Sequence, residues 1–424
     1  MLSQSFNPEN LRKFIARGEA FQASSEQKKS IDEILLNLCE TVDSGRYELR
    51  PFIVKRWRGK KHYLPKSVCD KWVLRKLNRN ISRLYQLRQG DRNVIVKQVK
   101  VLLGEKQPMA ISKFDIADFY EQTNRQNILN ILLADSLLSP QSKQILRALF
   151  RKMRVKKGLP RGICLSPTLA EFSLRGFDEK VRQIDGVYFY ARYVDDIILF
   201  SFHDVAEVVR EVKRSLPQGL TLNRDKQIEA IRVVKCRCRP NCTCRLAQCK
   251  CIDKCKCQAT GIDSQVLEYL GYRFAFSDLA RDRSLSVSIS TNKVKKIKSR
   301  IVHAMLAYSN DQDYFTLRNR LEFLTGNYRI SGSYENVQLK SGIYYNYPHI
   351  DDLSCLEDLD EFLGKCVYAT RGAFGRRLQA TLSPTHRREL ARHSFKFGYE
   401  KRVMHDFDVP TISRIKHCWR YEQD

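Results

Sequence analysis

The sequence predicts an α+β domain followed by an all-helical region, and three observations carry that expectation. Strand-prone stretches alternate with helical spacing from about residue 51 to 287. Beyond residue 290 the apolar pattern turns helical and basic, as in "TNKVKKIKSRIVHAML" and "PTHRRELARHSFKFGYEKRVM". The most sheet-prone stretch, "YFYARYVDDIILFSF" at 188–202, carries two adjacent acids at its centre. Its Tyr, Phe, Val and Ile residues suit two largely buried strands of a hairpin, with Asp195 and Asp196 at the tight turn.

The elements follow in order. Residues 24–42 have Ser and Glu start signals and apolar spacing of three and four, which predicts an amphipathic helix within an N-terminal helical segment, 1–50. "YELRPFIVKRWRGKKHYLP" predicts a basic hairpin around Gly59, and residues 66–90 read as a basic helix. The strand-like "AISKF" precedes the acidic "FDIADFY", then helical spacing runs to about 153. The loop "KKGLPRGICLSPT" leads into the helix "LAEFSLRGFDEKVRQI", which feeds the acidic hairpin. A helix over 204–216, a short strand near "LTLNRDKQIEAI", a cysteine block and "QVLEYLGYRFAFS" complete the mixed region.

With 424 residues, 43% hydrophobic and 29% charged, the chain is expected to fold into two or three soluble domains. Lys and Arg total 75 against 47 Asp and Glu, a formal charge of +28 spread along the chain. Nucleic acid is the expected partner, because neutralising phosphates rewards such a surface. A basic ribosome-associated or anionic-membrane protein is the plainer alternative. No apolar run reaches the roughly eighteen residues that span a bilayer, and "MLSQSFNPENLRKF" lacks a signal-peptide core, so the expected location is cytoplasmic, with no membrane partner.

Two adjacent carboxylates between apolar strands repel each other unless a cation or hydrogen bonds are supplied, and a divalent metal supplies both charge and ligation. Asp115 and Asp118 form a second acidic pair after a strand. An acid at a strand end and an acidic hairpin tip can meet in one sheet and hold two divalent ions for an in-line displacement. Separately, "KCRCRPNCTCRLAQCKCIDKCKC" holds eight of the fourteen cysteines as two copies of CxC-x3-CxC. Cys236, Cys238, Cys242 and Cys244, then Cys249, Cys251, Cys255 and Cys257, offer two sets of four thiolates. Each set is enough for a tetrahedral structural Zn2+, although one shared cluster, iron–sulfur ligation and unligated thiols remain open. The block, 235–258, reads as an insertion that contacts RNA or a partner subunit, or simply stabilises the fold.

The ordered stretches "FDIADFY", "GLPRGICLSPTLAEF", "YVDD", "LTLNRDK" and "LEYLGYRF" resemble the palm motifs of reverse transcriptases, across roughly residues 52–280. "GLPRG", "RLEFLTGNY" and "GIYYNY" look most like the bacterial defence-associated enzymes, cousins of retron and group II intron reverse transcriptases. The resemblance implies a right-hand polymerase, with fingers and palm over 51–287 and a helical thumb with its C-terminal extension over 288–424. It implies RNA-directed DNA synthesis with two Mg2+ ions held by Asp115, Asp195 and Asp196 and by the Ile116 backbone. The Ile116 backbone and Asp118 would lie under the incoming triphosphate, and Tyr120 would match the aromatic gate that excludes a 2′-hydroxyl.

Gly162 would let backbone approach the base pair. Arg161 stands where the family commonly has Gln, which leaves the template contact open. Lys226 would be a proton donor to pyrophosphate, or a solvated lysine. Lys61 is singled out from the basic residues of the hairpin, which also include Lys55, Arg56 and Lys60, as a triphosphate ligand. The implied partners are an RNA template, which a dedicated non-coding RNA could supply, and the DNA product. A homo-oligomer or a partner reverse transcriptase subunit stays open, as do two rival readings, a retroelement enzyme and a catalytically silent RNA-binding scaffold.

Overall fold

The computed structural model describes residues 3–16, 18–57, 59–105, 109–153, 157–202, 205–223, 228–233, 264–277, 285–331 and 338–419. They divide into two compact units. The first draws chiefly on 1–91 and 108–233, the second on 92–107, 234–332 and 336–424.

The first unit is organised by a four-stranded antiparallel sheet in the order Val187–Tyr193, Asp196–Ser201, Met109–Asp115, Ile228–Val233. The strand Asp196–Ser201 is paired on both edges, and Ile197 to Phe200 are fully buried, which is why its sequence is continuously apolar rather than alternating. Two helices share its core. Leu165–Arg182 buries Leu169, Leu174, Phe177 and Val181, and Val205–Ser215 buries Val208, Val209 and Val212, each at helical spacing. Burying each large side chain in this layer is worth about 1.5–3 kcal/mol before entropy is counted. The sheet is therefore a rigid platform for whatever its strand ends carry.

The basic hairpin forms as expected, with Phe52–Trp57 paired to Lys60–Pro65 and Gly59 in the left-handed conformation. Residues 24–42, expected as one helix, divide instead into Glu19–Gln27 and Ile31–Asp43. Lys28 turns left-handed and stops the first helix, and Ser30 starts the second through a capping box with Glu33.

The second unit contains a three-stranded antiparallel sheet, Ser264–Tyr269, Tyr272–Ser277 and Leu285–Ile289, turning through Leu270 and Gly271. Long helices follow, Thr291–Asp311, Tyr314–Thr325 and Ser354–Val367 among them. The expectation of an all-helical C-terminal region is corrected by a second sheet. Asn327–Ser331 pairs antiparallel with Gln338–Gly342 and parallel with Met404–His405. Helix Tyr314–Thr325 ends at Gly326, and the next residues, "NYRIS", have the side chains a strand accepts. The buried Asn327 ties the layer together by donating to Gly398 O and Val403 O, both at 3.1 Å.

Candidate active site

The acids are placed by the sheet register. Asp115 ends its strand directly across from Asp196, the first residue of the neighbouring strand, and Asp195 occupies the turn before it. The main chain locks this arrangement. Ile116 N donates to Asp195 O at 3.1 Å, Asn223 N to Asp115 O at 2.7 Å, and Ala117 N to Thr221 O at 2.9 Å. The Asn223 side chain also reaches Asp115 Oδ2 at 3.3 Å. Asp115 is buried, whereas Asp195 and Asp196 are half-buried, so the acids are partly open to solvent. The Ile116 side chain is buried, which leaves its backbone as the part able to contribute to a site.

Among the described residues, no group of three His, Cys, Asp or Glu side chains is drawn together tightly enough to hold a metal as it stands. The donor set nonetheless fits a hard divalent cation. Carboxylate oxygens on two paired strand ends and the adjoining turn are the hard oxygen donors that Mg2+ takes.

The acidic turn is held from behind. Val194 has a φ of +60°, a conformation that a β-branched residue rarely adopts. Arg192 donates to its carbonyl, and the same guanidinium makes two-point contacts with Glu171 and Asp178, leaving none of its five N–H groups idle. Tyr190 adds a hydrogen bond to Asp178 at 2.6 Å. Burial opposes the charge on Arg192, but the two carboxylates more than offset it and hold the guanidinium firmly protonated.

In front of the acids lies a second group. Asp118, exposed and left-handed at φ +40°, pairs with Lys60 at 2.8 Å, and its hydrogen bond to Lys60 holds its carboxyl below the usual range. Tyr120 is half-buried, and burial raises its phenol. Its carbonyl accepts from Leu159 N at 2.7 Å. Gly158 makes that approach feasible, since a Cβ there would stand 2.5 Å from the carbonyl oxygens of both Tyr120 and Glu121. Arg161 binds Glu121 by two hydrogen bonds, at 2.7 and 3.1 Å. Burial works against the Glu121 charge, but Arg161 outweighs it and keeps the carboxyl low.

Expected residues thus divide into several groups. Asp115, Ile116, Asp195 and Asp196 come together at one sheet edge, and Asp118, Tyr120 and Arg161 line the segment beside them. Gly162 has a φ of +90°, and the backbone it approaches is that of Tyr63, whose O would lie 2.8 Å from an added Cβ. The hairpin is joined to this loop by Tyr63 N donating to Arg161 O at 2.8 Å. Lys61 is exposed opposite Arg56, and it is the neighbouring Lys60 that reaches Asp118 and Glu121. Lys226 and the eight block cysteines, Cys236 to Cys257, lie outside the described residues.

The model of the family described as reverse transcriptase (RNA-dependent DNA polymerase) matches residues 59–274, just over half of the chain. The chain belongs to the reverse transcriptase family. Its mixed helix and sheet architecture is that of this family's domain, and the acidic sheet edge lies within the matched region. Among solved structures, the chain is similar to telomerase from Candida tropicalis bound to a TWJ fragment of telomeric RNA. The identity is 12%, over 93% of this chain and 68% of that one, with a TM-score of 0.36. The apo telomerase of the same yeast matches at 13% identity over 84% and 57% of the two chains, with a TM-score of 0.34. The Candida albicans telomerase with a TWJ fragment matches at 13% over 82% and 53%, with a TM-score of 0.30. The match to a truncated apo form spans 45% of that chain, so the chain covers about half the length of several of the telomerases it matches. No curated protein matches the chain significantly. No helix among the described residues is long and apolar enough to cross a membrane.

Sequence reasoning missed Arg192, Glu171, Asp178, Glu121 and Asn223 as site residues. One signal was present for Arg192, a cation inside an otherwise aromatic and aliphatic strand.

Proposed function

We propose that this protein is an RNA-directed DNA polymerase that extends a primer with deoxynucleoside triphosphates. The observation that carries the reading is the pairing of Asp115 with Asp196 across two strands, with Asp195 in the adjoining turn, in a chain of the reverse transcriptase family. Asp115, Asp195, Asp196 and the Ile116 carbonyl would hold two Mg2+ ions. When bound, such a pair activates the primer hydroxyl and neutralises charge on the triphosphate. The protein's part is to fix geometry. The primer 3′-oxygen forms a bond to the α-phosphorus as the bond to pyrophosphate breaks, and the stiff sheet edge keeps the acids in line with that displacement. Lys60 and Asp118 border the triphosphate path, Tyr120 excludes a 2′-hydroxyl, and Lys226 donates a proton to the departing pyrophosphate.

The fingers and palm are assigned to 51–287 and the thumb to 288–424. The cysteine block at 235–258 carries two structural Zn2+ ions and meets RNA or a partner subunit. The net charge of +28 supports an RNA and DNA substrate. Bacterial anti-phage defence, with an associated non-coding RNA as template in the cytoplasm, is the biological setting, supported by the motif resemblance.

Purification from cells carrying the native flanking DNA, followed by sequencing of bound RNA and DNA, tests the reading. DNA complementary to the retained RNA is the expected product. The same RNA with no DNA after Mg2+ and deoxynucleotides are added would favour a silent scaffold.

A further inference from the structure

The guanidinium of Arg161 lies 5.0 Å from the ring centre of Tyr120, over its face. Two parallel hydrogen bonds to Glu121 fix the plane of that guanidinium, as a planar fork allows and a point-charge ammonium does not. Glu121 is oriented in turn by Lys60, 3.6 Å away. The root of Tyr120 is held separately, by the hydrogen bond from Leu159 N and the close approach of Gly158. On the side of the adjacent residue stands the Phe119 ring, 5.7 Å away and tilted by 57°. The Tyr120 ring thus has a fixed root and a cation laid over its face.

We infer that Arg161 and Glu121 are a positioning pair that braces the Tyr120 ring, so that selection of deoxynucleoside over ribonucleoside triphosphates depends on three residues rather than one. The inference rests on the proposed reading of Tyr120 as the sugar gate. An aromatic barrier discriminates only while it holds its place, because a ring free to swing by an ångström admits the extra hydroxyl. Glu121 holds no substrate in this scheme. It acts through Arg161, and Arg161 acts through the ring.

The test is the ratio of kcat/KM for a deoxynucleotide to that for the matching ribonucleotide, measured on single preparations of wild type, Tyr120→Ala, Arg161→Lys, Glu121→Ala and the Arg161→Lys/Glu121→Ala double variant. A ratio is insensitive to the fraction of enzyme that is folded. The expected result is a loss of discrimination of about fivefold in each of Arg161→Lys and Glu121→Ala, the scale of a cation–π contact, because an ammonium has no plane to fix and Arg161 loses its anchor without Glu121. The double variant should fall no further than the worse single one. If Tyr120→Ala loses discrimination while Arg161→Lys and Glu121→Ala keep the wild-type ratio, the gate stands and the brace is overturned. If Tyr120→Ala itself keeps the wild-type ratio, the gate reading fails and the brace fails with it.

Discussion

Arg192 donates a hydrogen bond of 2.9 Å to the carbonyl of Val194, the residue whose left-handed backbone forms the turn presenting Asp195. A buried cation thus holds the strained residue on one side, while Ile116 N takes the Asp195 carbonyl on the other. Backbone strain of this kind persists only where surrounding contacts over-determine it, and Arg192 and Ile116 N supply them at this turn.

Arg192→Met should destabilise the first unit by about 3 kcal/mol or more, because Glu171 and Asp178 would be left as buried carboxylates without their cation. Arg192→Lys should recover only part of the loss, since an ammonium cannot serve both carboxylates and the Val194 carbonyl in one plane. Urea unfolding monitored by circular dichroism checks both. An unchanged midpoint in Arg192→Met would remove the assigned role.

Gly158→Ala should cost more than about 1 kcal/mol and displace Tyr120, because the φ of +74° disfavours alanine and the new Cβ would meet two carbonyl oxygens at 2.5 Å. Thermal melting reads the first effect, and nucleotide incorporation on a primed template reads the second. Wild-type behaviour in both would mean that the loop has room the close contacts deny.

The buried Lys76 makes stability depend on pH. Burial, reinforced by the charges of Lys13, Arg83 and Arg79, pushes its ammonium down to about 8 from 10.5, and its hydrogen bond to Ser3 O is 2.6 Å long. Between those values the unfolded chain binds more protons than the folded one, so this residue's contribution to stability rises with pH across that window. Lys76→Met removes the contribution. The variant's gain over wild type in melting temperature should be larger at pH 7 than at pH 9.5, and a gap that stays constant would contradict the assignment.

The cysteine block predicts a metal content. Protein purified without chelator should carry about two zinc ions per chain, and replacing Cys249, Cys251, Cys255 and Cys257 by Ser should remove about one. Elemental analysis decides it. No zinc in the wild type would leave the thiolates to another role.

Much of the sheet that carries the acids was legible because its signals are local. The apolar run on both sides of Asp195 and Asp196 and the turn at Gly59 each announce an element within a few residues. The Ser and Glu start signals over 24–42 predict one helix, whereas the capping box of Ser30 and Glu33 opens a second one inside that span. What escaped depends on distant partners. Arg192 finds Glu171 and Asp178 on a helix 21 and 14 residues back, and Asn327 pairs with Met404 across most of the C-terminal region. A five-residue strand that follows directly on a helix has too short a pattern to reveal such a partner. Lys60 rather than Lys61 faces Asp118 because the turn sets which side of the hairpin each lysine occupies, and adjacent strand residues point to opposite faces.

The most direct test of the central claim is extension of a DNA primer on an RNA template with Mg2+ and deoxynucleotides, run with wild type beside Asp195→Ala/Asp196→Ala. Template-dependent DNA synthesis is expected from the wild type, with a loss of at least about a thousandfold in the double variant and equal RNA retention by both. Equal synthesis by both proteins, or none by either while both hold RNA, would contradict it.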